Sequence, residues 1–254
     1  MAHIYGKIGE SALQKSLEKR EKVLWGVLLV LMYGAMGLGV LEGAMFTKSL
    51  SVRYFAFVSI VIIFISAIVW ERRHKSFWDD KLHESRVWRR GYEGERVVGE
   101  LLEDGLSDKY HIFNNVKFPG RKANIDHIVV GPSGIFVLDT KNWRGIVAWA
   151  EDGETLLWNG EPEKKGTAKA ILADALDVHD KLKTLTNKDF FIKPILVFPL
   201  AKVMPRLNTR VELQQDDYLI DKRLNYIDKR YALSDSDVNV AVRALNALFR
   251  DNLG

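Results

Sequence analysis

The sequence contains no cysteine among its 254 residues, and this absence excludes several kinds of chemistry. Without cysteine there is no disulfide framework, no thiolate zinc site and no thiol nucleophile. The six histidines show no metal-ligand spacing. The chain also lacks a recognisable serine–histidine–aspartate motif, a phosphate-binding glycine loop and a helix-turn-helix. Neither internal repeats nor low-complexity segments occur.

The charge balance favours anionic partners. The formal net charge is +4 and the isoelectric point is about 9.1. A basic protein of this kind is attracted to nucleic acid or to the anionic face of a membrane, and the net charge does not distinguish between these two partners.

Two runs near the start of the chain lack any charged residue, at residues 23–41 and 54–70. As helices, with about 1.5 Å of rise per residue, they are roughly 28 and 25 Å long, close to the thickness of a bilayer core. Each can also be a buried core helix, and the first a cleaved signal peptide. A polar stretch precedes the first run and a second run follows at once, so the pattern predicts a membrane-spanning hairpin over residues 23–70.

The charges around the two runs predict their orientation. Lys and Arg number five in residues 1–22, two in the loop between the runs and seven in residues 71–90. Cytoplasmic flanks carry the excess of Lys and Arg, so both termini are expected in the cytoplasm of a two-pass protein of the cell membrane. Residues 71–90 read as a charged helical connector that rests on lipid headgroups, with a nucleic-acid contact as the alternative.

Residues 91–254 have the size of one domain. A helix is predicted over residues 91–106, followed by short strands at 111–118, 124–130, 135–142, 145–150 and 155–160. A helix with an apolar face that includes Ile171, Ala175 and His179, a buried strand at 192–199 and a helix capped by Ser234 complete the order. This order indicates an α/β (α+β) fold, with helices flanking a mixed central sheet.

The segment NIDHIVVGPSGIFVLDTKN predicts a hairpin with a defined register. A symmetric turn at residues 131–134 pairs positions whose numbers sum to 265, which sets Asp126 opposite Asp139. Because side chains alternate along a strand, Lys141 shares their face, and His127 and Thr140 lie on the other.

Two carboxylates directly across a ladder repel each other. A divalent cation with oxygen ligands, Mg²⁺ or Mn²⁺, removes that repulsion. Lys141 can then orient a water molecule or stabilise negative charge on a phosphate. The alternative is that both carboxylates are at exposed strand ends and that Lys141 forms an ordinary salt bridge.

These residues resemble the nuclease-related domain, NERD, a branch of the PD-(D/E)XK nuclease superfamily. The matching elements are Gly91, Gly94 and Glu95 of the segment GYEGE, the hairpin, and the turn at residues 143–145. The resemblance covers roughly residues 88–200. It implies a restriction-endonuclease-like fold that binds Mg²⁺ and hydrolyses DNA.

The resemblance implies a role for each matching residue. Glu95, Asp126, Asp139 and Lys141 would be catalytic, and the metal would be held by Asp126, Asp139 and the backbone carbonyl of Thr140. Glu95 also has a simpler interpretation, as a carboxylate favoured near the start of a helix.

Two departures from the family pattern stand out. Position 139 is Asp where the family more often has Glu, and no glutamine occurs between Gly160 and Lys188, where members usually have one. Lys165 or Lys169 can replace that glutamine, or can be ordinary solvated lysines.

The sequence therefore predicts a membrane-anchored, Mg²⁺- or Mn²⁺-dependent nuclease that acts on DNA, with RNA not excluded. The lipid bilayer is its second partner. The rival hypothesis is a membrane-tethered module on the same fold that binds nucleic acid or protein without cleaving it.

Overall fold

A computed structural model describes residues 1–46, 49–118, 123–206 and 208–250. The chain forms two compact units, residues 13–89 and a second unit built from residues 1–12 together with residues 90–254. Two long helices, α1 (Glu10–Met45) and α2 (Leu50–Gly105), contribute to both units.

In the unit of residues 13–89, apolar side chains of both helices are exposed. Trp25, Leu31 and Met36 of α1 and Phe55 and Phe64 of α2 are each at least 60% exposed. Among the described residues, the segment Glu10–Gly39 is long and apolar enough to cross a membrane, and Leu50–Ser66 is a shorter apolar helical segment. The composition thus supports one candidate span, where the sequence pattern predicts two.

Polar contacts join the two helices at the other end of this unit. The Ser16 hydroxyl donates a hydrogen bond to the Ser85 carbonyl at 3.1 Å, and Lys19 Nζ lies 2.6 Å from Glu84 Oε2. These contacts hold the beginning of α1 beside α2.

Helix α2 is continuous through the boundaries that hydropathy suggests near residues 70 and 90. The first proline of the chain is Pro119, so nothing in this stretch removes a helical hydrogen bond. A change of hydropathy alters what surrounds a helix without interrupting its backbone. The apolar run, the charged connector and the predicted helix of residues 91–106 are therefore one element.

The second unit contains a six-stranded mixed sheet in the order β1-β2-β3-β4-β8-β10. Its strands are β1 (His3–Tyr5), β2 (His111–Val116), β3 (Ile125–Gly131), β4 (Gly134–Thr140), β8 (Ile192–Val197) and β10 (Glu212–Gln214). Strands β2, β3 and β4 are antiparallel, and β8 runs parallel to β4. Strand β1 pairs in parallel with β2, an element that the polar N-terminal sequence does not predict.

A smaller four-stranded sheet follows the order β7-β6-β5-β9. It contains β5 (Gly145–Trp149), β6 (Leu156–Trp158), β7 (Glu161–Pro162) and β9 (Ala201–Met204). The remaining helices are α3 (Thr167–Thr186), α4 (Asp216–Tyr218), a π-helix (Leu219–Leu224) and α5 (Asp235–Arg250). These elements confirm the predicted mixed α/β architecture.

Apolar side chains cover both faces of the large sheet. One face packs against α3 and α5, through residues such as Ile171, Leu182 and Ala241. The other packs against the last turns of α2 and the π-helix, through Val98, Leu102 and Leu219. A sheet buried on both faces accounts for the nearly continuous apolar sequence of β3 and β4.

The buried stripe of α3 differs slightly from the predicted one. It consists of Ile171, Ala175, Val178 and Leu182, whereas His179 contacts the carboxylates of Asp180 and Asp189. His179 is thus only partly buried, and one of its two partners, Asp189, lies outside the helix. The predicted cap of α5 is confirmed, since the Asp237 amide donates to Ser234 Oγ at 3.1 Å.

Candidate active site

The β3–β4 hairpin brings two aspartates to the same end of the sheet. Its pairs include Val130 with Ile135, Ile128 with Val137 and His127 with Leu138. They confirm the register predicted from the turn. Asp126 and Asp139 occupy the next position along the hairpin, and alternation gives them the same face.

Asp126 is held against the backbone of the neighbouring strand. The Thr140 amide donates a hydrogen bond to Asp126 Oδ2 at 2.7 Å. Burial raises the pKa of Asp126 well above its usual value, and the charges of Asp139 and Glu95 raise it further, against the opposing effects of Lys141 and the Thr140 amide. Asp126 is thus a buried carboxyl group whose ionisation is affected by two neighbouring carboxylates and by one lysine.

Lys141 is the cation of the cluster. Its Nζ lies 2.6 Å from Asp139, and its amide extends the β4–β8 ladder by donating to the Val197 carbonyl at 2.8 Å. Burial lowers the pKa of Lys141, but the nearby carboxylates outweigh this effect and the net shift is upward. Lys141 is thus protonated at neutral pH and acts as a hydrogen-bond donor rather than as a base.

A close contact between α2 and the end of β4 positions Glu95. A Cβ atom at Gly94 would lie 2.9 Å from Asn142 Cβ and 3.3 Å from Thr140 Cγ2. The Asn142 side-chain amide also donates to the Arg90 carbonyl at 2.7 Å. Only a residue without a side chain allows the helix to come this near. The carboxylate of Glu95, next along the helix, acts electrostatically on both Asp126 and Lys141.

His127 lies on the opposite face of β3 and is fully buried. Its Nδ1 is 2.7 Å from Asn114 Oδ1. Burial lowers the pKa of His127 to about 4, against the opposing effect of the Glu95 backbone carbonyl, so the ring is neutral at physiological pH. Its place away from the acidic pair agrees with the alternation of the hairpin.

The oxygen donors at the end of β3 and β4 suit a hard divalent cation. Among the residues that the structure describes, no three histidine, aspartate or glutamate side chains form a metal-holding group. The predicted set needs only two carboxylates and the Thr140 carbonyl. A cation there would offset the charges that raise the pKa of Asp126, and carboxylate and carbonyl oxygens are the ligands that Mg²⁺ prefers.

Comparison with known families identifies this part of the chain. Residues 90–199 match the model of the nuclease-related domain, NERD. The chain contains a NERD domain. It includes the predicted site residues Glu95, Asp126, Asp139, Thr140 and Lys141.

Similarity to an individual relative covers a shorter stretch of the chain than the family match does. An uncharacterized protein of Bacillus anthracis is 34% identical over 65 residues, which are 24% of this chain and 31% of that relative. The chain thus spans about a third of that relative's length. No solved structure matches the chain.

Several features of the NERD domain's site were not predicted from the sequence. Asn142 pins α2 to the end of β4, and Trp143, which follows it, stacks on Trp158. The sequence signals that point to them are their position directly after Lys141 and the resemblance of the turn at residues 143–145 to the family. Lys165 and Lys169, the candidates to replace the missing glutamine, are both exposed near the start of α3.

Proposed function

We propose that the NERD domain is a metal-dependent nuclease that hydrolyses phosphodiester bonds of DNA. The observation that carries the proposal is the geometry at the end of the β3–β4 hairpin, where Asp126 and Asp139 share one face and Lys141 Nζ lies 2.6 Å from Asp139. Carboxylates clustered at the end of two strands would destabilise a sheet that has only a structural role, because they repel each other. A site that binds a cation and a phosphate needs both the carboxylates and the lysine.

Each residue of the site has a role that follows from its chemistry. Asp126, Asp139 and the Thr140 carbonyl would hold Mg²⁺ or Mn²⁺. When bound, the cation supplies Lewis acidity, which polarises a phosphoryl oxygen and acidifies water. Lys141 donates a hydrogen bond to a phosphate oxygen or to the attacking water. The Glu95 carboxylate, on the α2 side, accepts a hydrogen bond from that water and orients it.

The proposal includes an anchor in the cell membrane, formed by residues 23–70 as a two-pass hairpin. It is supported by the exposed apolar side chains of both helices and by the Lys and Arg counts around the runs. The pairing of β1 with β2 adds an independent argument. Two strands of one sheet must be in the same compartment, so the chain between Tyr5 and His111 crosses a membrane an even number of times.

The test of the proposed chemistry is the substitution Asp139→Asn in the full-length chain. It preserves shape but removes a charge that binds the metal. We expect cleavage of plasmid and linear DNA in Mg²⁺ or Mn²⁺ to fall by at least about a hundredfold, since loss of an outer-shell partner alone costs about 10- to 100-fold. DNA binding should persist, because the substitution reduces carboxylate–phosphate repulsion. The matched control is Asp108→Asn, at an exposed position before β2.

Two results would contradict the nuclease proposal. One is the absence of metal-dependent cleavage of any nucleic acid by the purified wild type. The other is an Asp139→Asn variant that cleaves as fast as wild type. The rival binding module predicts the first result, together with nucleic-acid retention that weakens steeply as salt rises.

A further inference from the structure

Two stacked tryptophans lie beside the acidic cluster, which consists of Glu95, Asp126 and Asp139. The rings of Trp143 and Trp158 are 5.1 Å apart at an angle of 28°, and Trp143 also contacts Phe198 at 5.4 Å. Trp143 follows Lys141 by two residues, so their Cα atoms are within about 7 Å. Phe198 directly follows β8, whose last residue pairs with Thr140. The stack and the acidic cluster therefore lie at the same end of the large sheet, where β4 and β8 end.

The ring of Trp158 is fixed in place by the turn that precedes β5 and by the turn that follows β6. Its indole N–H donates a hydrogen bond to the Arg144 carbonyl at 2.8 Å. The turn beneath it is formed by Gly145, whose φ of 103° suits glycine, and by Asn159, whose Oδ1 accepts from the Ile146 amide at 2.8 Å. A ring held in this way loses little conformational freedom when a ligand stacks on it.

Trp158 nevertheless leaves 43% of its surface exposed. Trp143 covers one side of the indole, and the hydrogen bond to Arg144 uses its only polar group. What remains exposed is apolar ring surface. The side chain of Arg144, in the same turn, is also exposed and supplies a cation. An aromatic ring beside a cation is the usual arrangement for holding a nucleobase and its phosphate.

We propose that Trp158, supported by Trp143, stacks one unpaired base of the strand whose phosphate enters the acidic cluster. The preferred substrate is then single-stranded or locally unpaired nucleic acid. A base inside a duplex is stacked on both sides and must be unstacked before a protein ring can cover it. This inference rests on the proposed nuclease function and specifies its substrate class.

The experiment measures binding of a fluorescent single-stranded oligonucleotide to the full-length chain in detergent. All variants carry Asp139→Asn and are assayed without divalent metal, which prevents cleavage. We expect Trp158→Ala to raise Kd roughly 5- to 150-fold, the range that corresponds to about 1–3 kcal/mol for one stacked base. Trp158→Phe should recover most of the affinity, because a smaller ring still stacks. The same oligonucleotide annealed to its complement should bind more weakly and respond little to Trp158→Ala.

The matched control is a second stacked aromatic pair, Phe191 and Tyr231, whose rings are 4.3 Å apart. Phe191 precedes Ile192, so it lies at the opposite end of β8, roughly 20 Å from the acidic cluster. Phe191 is 50% exposed, close to the exposure of Trp158. Phe191→Ala should leave the Kd for the single strand unchanged.

Four outcomes would overturn the stacking proposal: no measurable binding of the single strand, an unchanged Kd for Trp158→Ala, an equal loss for Phe191→Ala, or preference for the duplex. An equal loss for Trp158→Ala and Trp158→Phe would also overturn it. The nuclease proposal is judged separately, by metal-dependent cleavage in the wild type. A chain that never cleaves but binds single strands through Trp158 refutes the nuclease and retains the stacking site.

Discussion

Gly94 is the residue that sets how closely α2 approaches the candidate active site. Any side chain there would meet Asn142 and Thr140 at the end of β4. Glycine costs helix stability, because it has the largest backbone freedom to lose. At this position glycine allows the close approach that brings Glu95 toward Asp126 and Lys141.

We therefore expect Gly94→Ala to impair cleavage much more than folding. The methyl group pushes the helix from the strand end, and a displacement of about 1 Å can cost about 100-fold in rate. The gain in helix propensity, about 1 kcal/mol, opposes the steric strain in the free energy of unfolding. The measurements are kcat/KM on DNA and the melting temperature.

Gly91→Ala, one turn earlier, is the matched control. A Cβ atom at Gly91 would meet nothing within 4 Å, so this variant should retain activity and gain slightly in stability. If Gly94→Ala and Gly91→Ala cleave at the same rate, the close approach of α2 has no part in positioning Glu95.

At the scale of elements, the sequence predicts well what depends on local pattern. The β3–β4 register follows from the short symmetric turn at residues 131–134, because the length of a hairpin turn fixes which residues pair. The cap of α5 follows from Ser234 and Asp237. The face of α3 was predicted less well, since its buried stripe contains Val178 while His179 finds partners outside the helix.

Long-range contacts could not be predicted in the same way. Strand β1 has three residues in a polar segment, and only its pairing with β2, far along the chain, makes it a strand. The approach of Gly94 to Asn142 and the stacking of Trp143 on Trp158 likewise depend on tertiary structure. The carboxylates and the lysine were predictable as a group because one hairpin carries three of the four.

The contact of α3 with the segment before β8 should depend on pH. His179 Nε2 lies 2.8 Å from Asp189 Oδ1, and Lys183 also contacts Asp189 at 3.0 Å. The hydrogen bonds with Asp189 and Asp180 raise the pKa of His179. A raised pKa in the folded state means that the stabilisation is complete below the unfolded value, near 6.5, and is lost as pH rises through the folded value.

We expect His179→Gln to lower the melting temperature more at pH 5.5 than at pH 9. Thermal unfolding of the full-length chain, followed by circular dichroism, measures the difference. Leu185→Gln, at an exposed position of the same helix, introduces the same side chain and should give a difference independent of pH. Equal effects of His179→Gln at both pH values would contradict the assignment.

For the molecule as a whole, the main prediction concerns topology. A reporter fused after Gly254 should behave as cytoplasmic, and one inserted near Thr47 as external; both positions lie outside the described residues. The Lys and Arg counts give the direction, and the β1–β2 pairing requires an even number of crossings. A cytoplasmic signal from the insertion near Thr47 would refute the hairpin.

The pairing of β1 with β2 also makes the order of synthesis matter. Strand β1 is translated about a hundred residues before its partner β2, an interval of roughly 5–20 s at about 5–20 residues per second. Throughout that interval β1 has no strand to pair with, because β2 has not yet been synthesised. Helices α1 and α2 lie between the two strands, so the six-stranded sheet can gain strand β1 only after both helices have been synthesised.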